Sequence, residues 1–485
     1  MRIRYNLALL TTLTLAFTLL PSGCHVGPNY QRPSAPIPPA LSAPPPAPID
    51  GAWKTTAPAD GFAKGKWWQI FHEPELDALE EKISVSNQSL IAATKQYQES
   101  LEALRIANTA LMPTLSAGVS GTREKFSANR PQAPANGPYN YTDLVLSGQV
   151  AWEPDLWGGI RRSIEQSHSN AQAIAADLAN LQLSLQAQLA LAYYELRGLD
   201  LQKQLLDQTL KDYTSQLALT RTRFNGGVGT EADVAQAQTQ LESTRAALID
   251  LGVARAQYEH AIATLTGQPA SGFTIAFNPA HSALPQIPSV VASELLERRP
   301  DVAAAERRAQ AANAQIGIAI AAYYPNITLG GAGGFESTHG GTWIQGPGSL
   351  WSLGASAAQL LFDAGKRKAL TAQAREGYEA QVANYRQTVL ASFEEVENNL
   401  SALRVLADES ATEDRAVAAA QQALDIANNR YKGGVTSYLE VLIAENTLLT
   451  NQRTQAELET RRITAAVSLI KSLGGGWTTA QLPRP

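Results

Sequence analysis

Six histidines (His25, His72, His168, His260, His281 and His339) and one cysteine, Cys24, are the residues of this 485-residue chain best suited to metal or nucleophilic chemistry. They are scattered. A lone cysteine can neither share a metal with a second one nor close an intramolecular disulfide, and no HExxH, GxSxG or P-loop pattern occurs. Gly330-Gly331-Ala332-Gly333-Gly334 superficially resembles a nucleotide loop, but it lies in a strand pattern with no dinucleotide-binding unit around it. The expectation is a protein that is not an enzyme and takes no cofactor or metal. Two carboxylates remain of interest, Asp233 and Glu440. Each stands about one turn into a helix pattern that follows a glycine pair, where a negative charge favours the helix dipole.

The elements that place these acids are long. Ile174, Leu178, Leu181, Leu185, Leu189, Ala192, Leu196 and Leu199 recur at spacings of three and four, and Leu206, Leu210, Tyr213, Leu217, Thr220 and Phe224 continue the seam. This is coiled-coil spacing. A helix over 160–224 would extend about 97 Å at 1.5 Å per residue, beyond any compact domain, so it must pack lengthwise on others. Each long helix ends at Gly226-Gly227-Val228-Gly229-Thr230 or at Gly433-Gly434-Val435-Thr436-Ser437. Glycine takes the left-handed conformation that closes a helix, and Thr230 and Ser437 can cap the returning one. Two helical hairpin tips follow, either simple tight turns or docking surfaces that point the same way.

The same plan is written twice. From Arg298 to Phe335 a helix pattern (Ala303, Arg307, Gln310, Ala314, Gly317, Ala321) gives way at Pro325 to alternation of Ile327, Leu329, Gly331, Gly333 and Phe335. Proline's ring and its effect on the preceding residue explain the switch. Pro113 repeats it 212 residues earlier, with Leu90, Ala92 and Ala93 matching Val302, Ala304 and Ala305. The tips pair Phe224 to Val228 with Tyr431 to Val435 at an offset of 207, and Leu156 to Arg161 faces Phe362 to Arg367. An internal duplication of helix, two strands, very long helix, glycine turn and helix is expected.

Four strands are predicted, at 114–126, 144–153, 325–337 and 350–361, each about the length a tilted strand needs to cross an outer membrane. Leu144, Leu146, Val150 and Trp152 alternate with Ser147 and Gln149. The Gly/Pro/Asn-rich stretches 127–140 and 338–349 read as cell-surface loops. Four strands cannot close a barrel in lipid, because open edges leave backbone groups unpaired. Several chains must share one barrel, and three chains with twelve strands suit a conduit better than two with eight.

At the N-terminus, Arg2 and Arg4 precede an uncharged run from Tyr5 to Leu20 that is too short to span about 30 Å as a helix, which marks residues 1–23 as a secretory signal. Pro21-Ser22-Gly23-Cys24 resembles a bacterial lipoprotein box, with Pro21 where leucine is usual and Leu20 one earlier; the resemblance implies acylation of Cys24. The alternative is an incidental cysteine near an ordinary cleavage site. His25 stands where an aspartate commonly retains lipoproteins at the inner membrane, so the outer membrane is the implied destination. Prolines from Pro28 to Pro58 read as an extended tether. Without the signal, 37 basic residues face 44 acidic ones, a formal charge of -7, and no basic stripe with interleaved aromatics is present. Nucleic acid is not an expected partner.

Four separated motifs carry a family resemblance: Gly27-Pro28-Asn29-Tyr30 with Pro33; Trp152-Glu153-Pro154-Asp155-Leu156-Trp157-Gly158; Arg298-Arg299-Pro300-Asp301-Val302 with Ala305-Glu306-Arg307-Arg308, Ala311-Ala312-Asn313, Ile316-Gly317 and Tyr324-Pro325; and Arg430-Tyr431 with Tyr438-Leu439-Glu440-Val441-Leu442. Together they resemble the TolC-like outer-membrane factors, in particular the lipoprotein OprM/NodT branch. The resemblance implies a homotrimer, mainly α with a membrane β part. Four strands per chain would join a shared twelve-stranded barrel continuous with a periplasmic helical barrel. It also implies an exit duct of a tripartite efflux pump, with a periplasmic adaptor and an inner-membrane transporter of the RND type as partners.

By the same resemblance, Gly226, Gly227, Val228, Thr230, Gly433, Gly434, Val435 and Ser437 belong to adaptor-docking tips, Asp233 and Glu440 to the closed periplasmic aperture, and Cys24 to the lipid anchor. The expected division is a signal (1–23), an acylated tether (24–66), a first repeat (67–270, tip 225–230), a linker (271–288), a second repeat (289–476, tip 432–437) and a tail (477–485). Two rivals stay open: a periplasmic coiled-coil lipoprotein that transports nothing, and the duct of a secretion system.

Overall fold

The structure is a computed structural model and describes residues 26–36, 66–125, 127, 140–281, 283–285, 298–477 and 482. The expected signal, Cys24, most of the tether and the end of the expected linker lie outside the described residues. In chain order the elements are α1 (Pro74–Ser86), α2 (Gln88–Thr109), β1 (Thr114–Lys125), β2 (Asn140–Trp152), α3 (Gly159–Asn225), α4 (Glu231–Leu265), α5 (Pro300–Ala321), β3 (Asn326–Ser337), β4 (Ser349–Ala358), α6 (Lys366–Lys432) and α7 (Tyr438–Ser472). Helices α3 and α6 have 67 residues each. At 1.5 Å per residue both run about 100 Å.

Helix gives way to strand where the sequence predicts. At the end of α5, Tyr323 and Tyr324 donate their N–H groups to Ile320 and Ala321 at 3.0 Å, tightening the last turn. Pro325 then has no N–H to continue it. Strand turns back into helix through left-handed glycines, Gly158 (φ 80°) before α3 and Gly365 (φ 87°) before α6. An aspartate sits beside each. Asp155 accepts from the backbone N–H of Ile160 (3.1 Å) and Arg161 (2.9 Å), and Asp363 from those of Gly365 and Arg367 (3.1 Å each). A carboxylate there satisfies N–H groups that a helix start leaves open and complements its dipole.

The four strands form one antiparallel sheet in the order β1-β2-β3-β4. Two expected strand bounds are corrected. β2 starts at Asn140 instead of residue 144, because the polar stretch 140–143 pairs with β1 as far as Lys125 opposite Asn140. β4 stops at Ala358 instead of residue 361, because its partner strand starts at Asn326, opposite Ala358, just after the proline.

Helix α3 is the spine. It lies against α2 and α5 on the side of the sheet, and against α4 and α7 towards the tips, where α6 packs on α7. Leu185, Leu189, Ala192, Leu196, Leu206, Tyr213, Leu217 and Thr220 of the predicted seam are buried. Phe224 is not: at the last turn of α3 the facing helices run out, and its ring is exposed. Midway along, Trp67, Trp68, Phe71, Leu76 and Ile83 pack on Tyr193 and Tyr194 of α3 and on Ile463, Val467 and Ile470 of α7. Beside them, Asp200 is fully buried and accepts from Arg197 and Arg255 at 2.9 Å each. The two guanidiniums also hold the carbonyls of Ala276 and Ile275, fastening the chain beyond α4 to α3.

Candidate functional site

The sheet has two chemically distinct faces. Alternation along a strand, combined with the register, puts Leu115, Ala117 and Val119, Leu146, Val150 and Trp152, Leu329 and Phe335, and Trp351 and Leu353 on one side. The other side carries Ser116, Ser120, Thr122, Ser147, Gln149, Thr328, Ser352 and Ser356. Trp351 and Leu353 are 82% and 83% exposed. A large apolar face on an otherwise polar chain must meet something other than water. No helix among the described residues is long and apolar enough to cross a membrane. Aromatic residues mark its helical end: Trp152 donates its indole N–H to the Leu111 carbonyl (2.9 Å) and Trp157 to the Pro325 carbonyl (2.8 Å).

At the opposite end of the helices the two tips share a backbone design. In the first, Gly226 donates to Thr222 (3.0 Å), Gly227 to Phe224 (2.9 Å) and Val228 to Arg223 (3.0 Å). In the second, Gly433 donates to Asn429 (3.0 Å), Gly434 to Tyr431 (3.0 Å) and Val435 to Arg430 (2.9 Å). Gly227 (φ 76°) and Gly434 (φ 73°) take the left-handed turn that ends each helix. Val228 and Val435 stand 69% and 71% exposed. Behind them Tyr213, Leu217, Ala237, Leu241, Ala427, Tyr431, Tyr438 and Val441 form one buried cluster drawn from both hairpins. Each tip therefore presents an exposed valine in front of this buried cluster.

The acids beyond the tips play unequal parts. Asp233 closes a capping box: its carboxylate accepts from the Thr230 N–H (3.0 Å), while the Asp233 N–H donates to the Thr230 hydroxyl oxygen (3.2 Å). Ser437 makes no such bond, contrary to the expectation that it caps α7. Its partner position is taken by Glu440, whose carboxylate reaches across the tip to Arg430 at 3.4 Å instead of back to the helix start. In the sequence Arg430 stands out only as part of a motif. An arginine one turn before the glycine pair and an acid one turn after the cap were the signal.

A second arrangement departs from the extended, free tether expected from Pro28 onward, over the first part of that stretch. The segment 26–36 is fastened along the helices below the sheet. Val26 donates to the Trp157 carbonyl (3.2 Å), and the buried Arg162 donates to the carbonyls of Val26 (3.2 Å) and Gly27 (3.3 Å) and to the Asn29 side chain (2.9 Å). Asn313 of α5 donates to the Pro28 carbonyl (3.0 Å), and Arg386 of α6 to that of Ser34 (3.0 Å). Gly27 (φ 90°) lies so close to Gly317 that a Cβ on it would stand 2.6 Å from the Gly317 Cα. The clue in the sequence was a pair of glycines within two quoted motifs.

An amphipathic antiparallel sheet set on paired, very long helical hairpins is the fold of outer-membrane channels. The solved channel OprN superposes with a TM-score of 0.83 at 31% identity, over 94% of this chain and 100% of that one. The open state of the MtrE outer membrane channel of Neisseria gonorrhoeae gives 0.81 at 26% identity, over 94% and 99%. The chain belongs to the outer membrane efflux protein family, whose model matches residues 79–268 and 291–475. Among relatives, the probable efflux pump outer membrane protein TtgC of Pseudomonas putida is 31% identical over 97% of this chain and 96% of its own length. The pyoverdine export outer membrane protein OpmQ of Pseudomonas aeruginosa is 28% identical over 89% and 93%. The family indicated by the four motifs is the family found, and these proteins are named as outer-membrane channels or as outer membrane proteins of an efflux pump or of export.

Proposed function

We propose that three copies of this chain close one conduit through the outer membrane and serve as the exit duct of a tripartite efflux pump. One observation carries this: the sheet ends at β1 on one side and β4 on the other with no further strand of the described chain beside either, while one of its faces is apolar. In lipid each unpaired backbone group costs several kcal/mol, so an open four-stranded sheet cannot stay alone there. Joining β4 of one copy to β1 of the next gives twelve strands in a closed ring. The apolar face then meets lipid and the Ser/Thr/Gln face lines water.

The two halves of the chain, each with a 67-residue and a 35-residue helix, supply a helical wall below that barrel. Their similar lengths and tips support an internal duplication. The bare Val228 and Val435 with the glycines at 226, 227, 433 and 434 are the surface on which a periplasmic adaptor docks, and an inner-membrane transporter of the RND type stands beyond it. Acylated Cys24, two residues before the fastened 26–36 segment in sequence, adds a lipid anchor. The relatives' names, in efflux and in export of pyoverdine, favour small molecules as cargoes.

The test is mass and conduction of the full-length protein purified in mild detergent. Three copies per particle and a defined conductance in planar bilayers are expected. Changing Cys24 to Ser should leave the protein extractable only with detergent. Single copies with no conductance, released into buffer by that change, would point to a tethered periplasmic coiled coil.

A further inference from the structure

Tyr438, Val441, Glu445 and Leu448 form the tip end of the buried stripe of α7, at spacings of three, four and three. An acid therefore occupies a position that its neighbours fill with apolar side chains. Glu445 is only 9% exposed, and its Oε2 has no hydrogen-bond partner among the described residues. The position 207 residues earlier, its counterpart in the first hairpin, is the neutral Gln238.

The surroundings of Glu445 are the junction of the two hairpins. Tyr213 of α3 and Tyr438 of α7 both sense its charge and belong to the tip cluster. Asp212 of α3 faces it with a like charge. Of the other charged groups nearby, Asp233 of α4 acts on Tyr438, and Arg223 of α3 lies over the Tyr431 ring of α6 at 4.7 Å. Gln240 of α4 adds a neutral link across the junction, donating to Asn446 of α7 (2.7 Å), and also donates to the Tyr213 hydroxyl (3.2 Å). Burial first, then the Asp212 charge, pushes the Glu445 carboxyl from its ordinary 4.5 up to about 7.

We propose that the junction of the two hairpins is a proton-operated latch, closed while Glu445 is neutral and released when it ionises against Asp212. This rests on the conduit described above, in which parting the hairpins widens the periplasmic end. Parting them lets water reach Glu445 and returns its carboxyl towards the ordinary range, so the closed form holds more protons than the open one. The closed form is then most favoured below about pH 4.5 and loses that advantage as pH rises through about 7.

The test uses the full-length protein in planar bilayers between pH 5 and pH 8, beside Glu445→Gln and Asp212→Asn. Open probability of the unchanged protein should rise about tenfold or more over this range, a size set by the linkage of one proton per chain. Glu445→Gln, of the same shape, should hold the pH 5 value throughout, and Asp212→Asn should move the midpoint to lower pH. A Glu445→Gln profile that follows the unchanged protein overturns the latch. Spin labels at Val228→Cys and Val435→Cys read the junction without conduction: the separation should grow from pH 5 to pH 8 and stay fixed with Glu445→Gln. Equal separations at both pH values also overturn the latch, whereas absence of any conductance with the expected separations would count against the conduit alone.

Discussion

Trp157 donates its indole N–H to the carbonyl of Pro325 over 2.8 Å and stacks on Tyr324 with ring centres 4.9 Å apart. One contact thus joins the start of α3 in the first half of the chain to the helix-to-strand switch in the second. It lies where the helices end and the sheet begins.

Removing that contact has a predictable cost. Trp157→Phe keeps the stacking and loses one hydrogen bond, and should lower stability by about 1 kcal/mol. Trp157→Ala loses both and should cost about 2 kcal/mol or more. Thermal unfolding of the detergent-solubilised protein, with the two variants side by side, measures the difference.

The fastened N-terminal segment depends on a glycine and a buried arginine. Gly27→Ala puts a side chain at φ 90° and against Gly317, which costs about 1–3 kcal/mol in strain alone. Arg162→Ala removes three of the bonds that hold residues 26–29. Both variants should expose the segment to protease several-fold faster while the helices stay resistant, as mass spectrometry of the fragments would reveal. An unchanged cleavage rate would show that Asn313, Arg386 and the packing suffice.

The two faces of the sheet should respond oppositely to the same substitution. Leu353→Lys puts a charge on the apolar face and should cost about 2–4 kcal/mol at mid-membrane, seen as poor insertion or a fragile assembly. Ser352→Lys, one residue away on the polar face, should insert normally and shift ion selectivity towards anions. Equal insertion of the two variants would show that the apolar face does not meet lipid.

Glu440 is the acid placed to hold the second tip through Arg430. Both side chains are about half exposed, so the pair itself is worth no more than about 1 kcal/mol. Even so, Glu440→Gln should raise conductance or the leak of large antibiotics several-fold if the pair keeps the tip in its closed form. Unchanged values in both assays would remove it from the gate. Asp233→Asn, by contrast, should act on the stability of α4, since that carboxylate already serves the capping box.

Local signals in the sequence were enough for most of the elements. The prolines at 113 and 325, the glycine pairs at both tips and the three-and-four spacing along α3 act within a few residues of themselves, so they can be read without knowing the neighbours. The same holds for the alternation that gave β2 and β3 an apolar side, and for the motifs that indicated the family. What needed the tertiary structure was everything set by a partner far along the chain. Nothing local to Asn140 says that it pairs with Lys125. Nothing near Gly27 names Gly317 or Arg162, and the spacing of Arg430 and Glu440 about the tip leaves open whether Glu440 turns back to the helix start at Ser437 or across to Arg430. Glu445 is the sharpest case. It reads as an ordinary helix acid until α3 is laid beside it, because burial and unlike or like charge across a junction belong to the packing of two helices and not to either one.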